Sequence, residues 1–346
     1  MKPYEQLTQR GQVQRIKALA SAALSSYDLE VIKLELLFHG ENTTFRARLD
    51  PAKSALDEVE HLASDSVLVR CHRPFYNTAV EIESELMWMA ALDDAGVPVQ
   101  SPLRNDAGEF VTRASHDGVP VDRDCTVMRW TQGRFAPKPK PVHLERLGKL
   151  TATLHEHARS WELPEGFERR SWDYAGLFHD IKRRPHVESI WAPFDADQRR
   201  VQEAAMEISA AFLERCERDS ERIVIHSDLH FGNVLFGGGR ALPIDFDDTG
   251  FGFPIQDAAT SLGRWDIHAD LEEYRRSYFQ GYASVSSNLP DESALLAGMI
   301  TRRAQLALWL SERAREIDAF AKMLPEWLIK HTAALEHLIA RLEQRS

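Results

Sequence analysis

Cysteine is scarce in this chain. The three present (Cys71, Cys125 and Cys216) are odd in number, far apart and in no Cys-x-x-Cys pair, which suggests neither a disulfide framework nor a zinc site. Long apolar runs are missing too. No stretch approaches the roughly 18 uninterrupted apolar residues of a membrane span, and Met1 to Arg10 lacks the apolar core of a signal peptide. A cytoplasmic protein with no membrane partner is expected. Positive charge is in deficit, with 42 Lys and Arg against 53 Asp and Glu and a net charge of −11. A general nucleic-acid binder carries a basic surface, so nucleic acid is not an expected partner.

What is present points to a folded protein. Of 346 residues 43% are hydrophobic, with 8 Trp and 16 Phe, enough for a substantial core. Residues 29 to 130 read mostly as short strands, and from 142 onward mostly as helices, the order of an α+β chain with two lobes. Gly133, Pro137, Pro139 and Pro141 mark the joint. The expected division is 1–130, a linker over 131–141, and 142–346.

Residues 4–25 read as a leading helix. Leu29–Phe38 and Thr43–Leu49 read as strands joined by a turn at His39 to Asn42, and Ser66–Arg70 as the next strand after a long polar connection, Pro51–Asp65. Thr78 with Glu81 forms a capping box that starts a helix, and Gly96 with Pro98 ends it. Ile82, Leu86 and Met89 form its apolar stripe, and Glu85 lies on that same stripe. A carboxylate facing a core costs several kcal/mol in rough terms unless paired, so Glu85 needs a cation. Arg70 is the natural partner.

The most informative segment is His226-Ser227-Asp228-Leu229-His230-Phe231-Gly232-Asn233, followed after a short hairpin by Ile244-Asp245-Phe246-Asp247. Phosphoryl transfer needs a group to orient or deprotonate the attacking hydroxyl, and oxygen ligands for the magnesium that neutralises the phosphates. Asp228, Asn233 and Asp245 supply both from one stretch of chain. His226, Asp228 and Asn233 match the kinase loop pattern H-x-D-x-x-x-x-N. Other readings are weaker. The pairs His226/His230 and His155/His157 lack a third metal ligand. Gly237-Gly238-Gly239 lies between strand-like runs, as a hairpin turn does. Ser227 has no G-x-S-x-G context.

With I-D-F-D and G-F-G-F-P-I-Q-D beyond it, the segment resembles the aminoglycoside phosphotransferase and choline kinase superfamily. R-C-H-R-P-F-Y and S-E-L-M-W-M look closer to its type II homoserine kinase and bacterial stress-response kinase branch. The resemblance implies a bilobal protein-kinase-like fold, an antiparallel-sheet N-lobe and a mainly helical C-lobe, with ATP in the cleft. It makes Asp228 the catalytic base, and Asn233, Asp245 and Asp247 magnesium ligands. Asp257 resembles an aspartate that braces the catalytic loop. Asn42 and Thr43 fall in the phosphate-covering hairpin (Glu41 to Phe45). Arg70 would grip the α- and β-phosphates, held by Glu85, and Met128 and Trp130 lie in the adenine-binding hinge. Recognisable segments run over about 34–262. Arg70 stands where most kinases have Lys, Ser227 where Gly is usual and Phe231 where Pro is usual.

The implied activity is transfer of the γ-phosphoryl group of ATP, with magnesium, to a hydroxyl of a small acceptor resembling an aminoglycoside, choline or homoserine. Only residues 246–256 separate Asp245 from Asp257, too few for the long segment on which protein kinases dock peptides. A protein Ser/Thr kinase of the stress-response type is the alternative within enzymes. A nucleotide-binding pseudokinase scaffold is the alternative outside them, opposed by the intact Asp228, Asn233 and Asp245.

Overall fold

Strand alternation builds the first sheet. In Thr43–Leu49, Phe45, Ala47 and Leu49 are buried on one face while Thr44, Arg46 and Arg48 take the other. The computed structural model describes residues 2–40, 42–53, 56, 61–179, 187–265, 268 and 270–345. In it, β1 (Val31–His39), β2 (Thr43–Leu49), β3 (Leu62–Cys71), β4 (Val111–Ala114) and β5 (Arg123–Thr131) form an antiparallel sheet in the order β1-β2-β3-β5-β4. α1 (Gln9–Leu24) covers one face, with Ile16, Leu19 and Ala23 in a core with Phe45, Val67, Val69 and Val127. The helix begins at Gln9 and not at residue 4, because the Thr8 side chain caps it by accepting from Gly11 N. β3 begins earlier than its apolar run implied, at Leu62. Glu41 and most of the middle of the 51–65 connection lie outside the described residues.

α2 (Ala79–Asp94) starts on the expected capping box of Thr78 and Glu81 and is closed off by Gly96, whose φ of 75° favours a residue without a Cβ. Beyond the linker come α3 (Pro141–Ser160), α4 (Tyr174–Phe178), α5 (Val187–Ile190) and α6 (Ala196–Asp219). β6 (Ile223–Ile225), the hairpin β7 (Val234–Gly237) with β8 (Arg240–Pro243), and β9 (Gly250–Gly252) follow; β9 pairs with β6. α7 (Pro254–Leu262), α8 (Leu271–Ala283), α9 (Leu295–Arg313) and α10 (Asp318–Glu343) complete the chain. The fold is thus bilobal α+β, a strand-rich unit and a largely helical one.

The first unit takes residues 1–134, 162–168 and 235–247, and the second takes 135–161, 169–234 and 248–346. Chain order alone assigns everything after 141 to the helical part, yet 235–247 belongs to the first unit. Phe236 bridges to Arg134, and Phe246 lies edge-on to Trp88 with ring centroids 5.6 Å apart. Only the folded chain reveals that regrouping.

In the second unit α3 and α8 cross where each carries a glycine. A Cβ on Gly148 would collide with the Tyr278 carbonyl, and one on Gly281 with the Glu145 carbonyl. Backbone, unlike a side chain, cannot swing aside. Gly281→Ala should therefore destabilise the fold by about 1–3 kcal/mol or more, although helix propensity alone would favour Ala by about 1 kcal/mol. Urea denaturation measures the balance, and an alanine variant as stable as the wild type would show that the crossing is not this close.

Candidate active site

The loop after β6 is shaped by one buried carboxylate. Asp257, in the first turn of α7 and fully buried, accepts from His226 N at 3.0 Å and Ser227 N at 2.7 Å, and from His155 Nε2 at 3.1 Å. Two hydroxyls of α7 hold the next carbonyls: Thr260 donates to Ser227 O at 3.2 Å and Ser261 to Leu229 O at 2.8 Å. Between these anchors Ser227 is held at φ 68°, in the left-handed region where a side chain is strained. That conformation gives a physical reason for the glycine usual in chains of similar motif.

Asp228 follows directly. Its Oδ2 accepts from Asn233 Nδ2 at 2.7 Å, and the same amide donates to Asp228 O at 3.0 Å. Its Oδ1 is paired with the guanidinium of Arg302, on α9, whose Nη1 donates to Gln305 Oε1 at 2.8 Å. His230 Nε2 lies 3.5 Å from Oδ2. Burial pushes the Asp228 carboxyl up, but Arg302, His230 and His226 outweigh it and hold the group well below the usual carboxylate range. Arg302 was not anticipated from the sequence. It sits 74 positions downstream, in a helix without a motif, and only folding brings it to Asp228.

A second cluster lies in the first unit. The register sets Thr44 opposite Arg70 and Leu68 opposite Met128, on the sheet face away from α1. There Arg70 donates to Glu85 Oε1 and to Asp245 Oδ1, each at 3.0 Å; Arg70 and Glu85 are buried, while the Asp245 side chain is 48% exposed. Asp245 is also a non-glycine residue with positive φ, 65°. Asp247 is more engaged. Asn42 Nδ2 reaches its Oδ2 at 3.3 Å, Asn77 Nδ2 its Oδ1 at 3.2 Å, and His72 Nδ1 lies 3.8 Å away.

Met128 is fully buried in β5, and Trp130 is half-buried under the Arg46 guanidinium, 4.4 Å from its ring centroid. Thr43 does not share their face. It stands opposite Cys71, and its hydroxyl meets His39 Nδ1 at 2.8 Å, so its side chain turns from Arg70. Among the described residues no three His, Cys, Asp or Glu side chains gather into a metal-binding cluster. Asn233 in the second unit and Asp245 in the first each offer an oxygen of the kind a hard cation takes.

The profile of the phosphotransferase enzyme family matches residues 52–296. The chain belongs to this family. As a member of the phosphotransferase enzyme family it falls among ATP-dependent enzymes that act on small molecules. A homoserine kinase of Methylobacillus glycogenes is 27% identical over 241 residues, 68% of this chain and 69% of that one. An amicoumacin kinase of Bacillus subtilis is 24% identical, over 70% of this chain and 73% of its own. Among solved structures, a microcompartment-associated aminopropanol kinase superposes with a TM-score of 0.74 at 27% identity, over 94% of this chain and 98% of that chain. No helix among the described residues is long and apolar enough to cross a membrane.

Arg70 and Glu85 form a buried pair, and removing one partner leaves the other charge without part of its compensation. Glu85→Ala should cost about 3–5 kcal/mol. Arg70→Ala added to it should cost clearly less than the sum of the two single changes. A double-mutant cycle by chemical denaturation checks this, and additive losses would mean that the pair carries no coupling.

Proposed function

We propose that the protein is a magnesium- and ATP-dependent kinase of a small hydroxylated molecule, with Asp228 as its catalytic base. The observation that carries this reading is the loop itself: a carboxylate and an amide five residues apart, locked together and held from behind by Asp257. In the reaction the acceptor oxygen forms a bond to the γ-phosphorus as its proton passes to the Asp228 carboxylate. The bond from that phosphorus to the β–γ bridging oxygen breaks, and the electron pair leaves with ADP.

Asn233 and Asp245 would hold magnesium, which when bound neutralises charge on the phosphates. Asp247, tied to Asn42 and Asn77, would serve more to fix the hairpin tip than to bind metal. Arg70, oriented by Glu85, would bind the α- and β-phosphates; Asn42 and the backbone at Thr43 would cover them. Met128 and Trp130 would line the adenine. The interval 246–256, taken up by β9 and the start of α7, supports a small acceptor over a protein.

Asp228→Asn should lower turnover by roughly 10²- to 10⁴-fold while Mg-ATP still binds. Labelled-ATP assays over hydroxylated acceptors test this, and a loss smaller than about tenfold would exclude Asp228 as the base. Asp245→Ala should raise the magnesium concentration needed for half-maximal ATP binding. A magnesium titration identical to that of the wild type would move the metal site elsewhere.

A further inference from the structure

A polar cavity of about 110 Å³ lies in the first unit, on the side of its sheet that α1 covers. Strand alternation sets it back to back with the Arg70 cluster: Thr43 and Cys71 face it, while Thr44 and Arg70 take the opposite face. Tyr4, His39, Thr43, His72, Arg73 and Arg123 supply its polar wall. Among the described residues no carboxylate lines it, although the chain as a whole carries a net charge of −11. One acid stands behind the wall: Asp247, 3.8 Å from His72 Nδ1.

Arg123, the first residue of β5, is the cation here without a counter-ion. Its Nε is shut off from solvent and meets no acceptor, and among the described residues its guanidinium forms no ion pair. The acids on either side of it in sequence, Asp122 and Asp124, turn instead to Arg113, at 3.9 and 2.9 Å. Burial and, after it, the charge of Arg123 hold the His39 imidazole below its ordinary value, so the wall is already rich in positive charge. Walls of one sign around a partly closed space concentrate the field inside it, and an anion gains more there than on the open surface.

Size and shape narrow the anion. The cavity falls well below the roughly 300–1,000 Å³ of pockets that hold drug-sized ligands, so a nucleotide does not fit. Its polar groups come from four separate segments: the turn before α1 (Tyr4), the end of β1 (His39), the residues after β3 (His72 and Arg73) and the start of β5 (Arg123). Groups arriving from several directions match the three acceptor oxygens of a phosphoryl group better than the two coplanar oxygens of a carboxylate. We propose that this cavity is a second anion site, which binds a small phosphate-type oxyanion through Arg123 and His39. It lies on the far side of the sheet from Arg70, and it does not depend on the reading of Asp228 as base.

Calorimetry with inorganic phosphate tests this on the full chain, with Mg-AMP-PNP saturating so that the nucleotide cleft is filled. Phosphate should still bind at one site, sulfate should compete with it, and acetate should bind more weakly. Arg123→Gln should weaken phosphate binding about 10- to 100-fold, and Arg123→Lys, which keeps the charge, should recover part of that loss. The His39 ring, followed by NMR through a pH titration, gives a local readout. Phosphate should raise its pKa, because negative charge nearby favours the imidazolium. Methyl phosphate beside inorganic phosphate tells a free anion from the head of a phosphorylated metabolite; whichever binds more tightly, the phosphate chemistry stands and its source is named. The proposal is wrong if phosphate leaves the His39 titration unchanged, if acetate binds as tightly, or if Arg123→Gln keeps full phosphate affinity. The wild-type His39 titration decides the point even where a variant fails to fold. A protein that binds no Mg-AMP-PNP overturns the proposed function, and the His39 titration still judges this site.

Discussion

Asp257 is the constraint on which the loop over 226–233 depends. A carboxylate with no solvent exposure is costly unless its oxygens are filled, and here two backbone N–H groups and one imidazole fill them. The same bonds decide the backbone path. With His226 and Ser227 both tied to one side chain, Ser227 is driven to positive φ, and Asp228 emerges beside Asn233. The strain at Ser227 persists because the surrounding bonds over-determine it. His155 is in turn fixed by the Tyr282 hydroxyl at 2.8 Å, so α3, α7 and α8 all bear on the loop. The close crossing of α3 and α8 at Gly148 and Gly281 places that histidine.

The first unit repeats the device with a different donor. Glu85, buried on α2, anchors Arg70, and Arg70 holds Asp245. In each unit a carboxylate that solvent cannot reach fixes a group that solvent can. Rigid support of this kind matters for phosphoryl transfer, where positioning and electrostatics supply nearly all of the acceleration. Asp245 and Asp247, two residues apart, separate by their surroundings: one is half-exposed with the Arg70 guanidinium beside it, the other is more enclosed, beside two amides and an imidazole.

Arg302 shows how a largely enclosed carboxylate is kept paired. The Asp228 carboxylate, largely enclosed, would suffer from an uncompensated charge, and the Arg302 guanidinium, anchored on Gln305, supplies the compensation.

Much of the fold was legible in the sequence because it depends on local rules. The capping box at Thr78, the alternation in 43–49 and the hairpin turn at Gly237 to Gly239 each follow from neighbouring residues, and all three appear. The Arg70–Glu85 contact was legible for a related reason: a carboxylate on an apolar stripe demands a cation, and the preceding strand ends in one. The side chains of Asp228, Asn233 and Asp245 were fixed in identity by motif spacing, which is a property of the chain. Tertiary structure alone decided the rest. Thr43 faces away from Arg70 because the register pairs it with Cys71, and register is set by strands far apart in sequence. Residues 235–247 group with the first unit, where Phe246 lies against Trp88 of α2. Arg302 reaches Asp228 only when α9 packs, a long-range contact that no local pattern encodes. Motif spacing named Asp228, Asn233 and Asp245 as candidates; packing decided which groups touch and brought in Arg302.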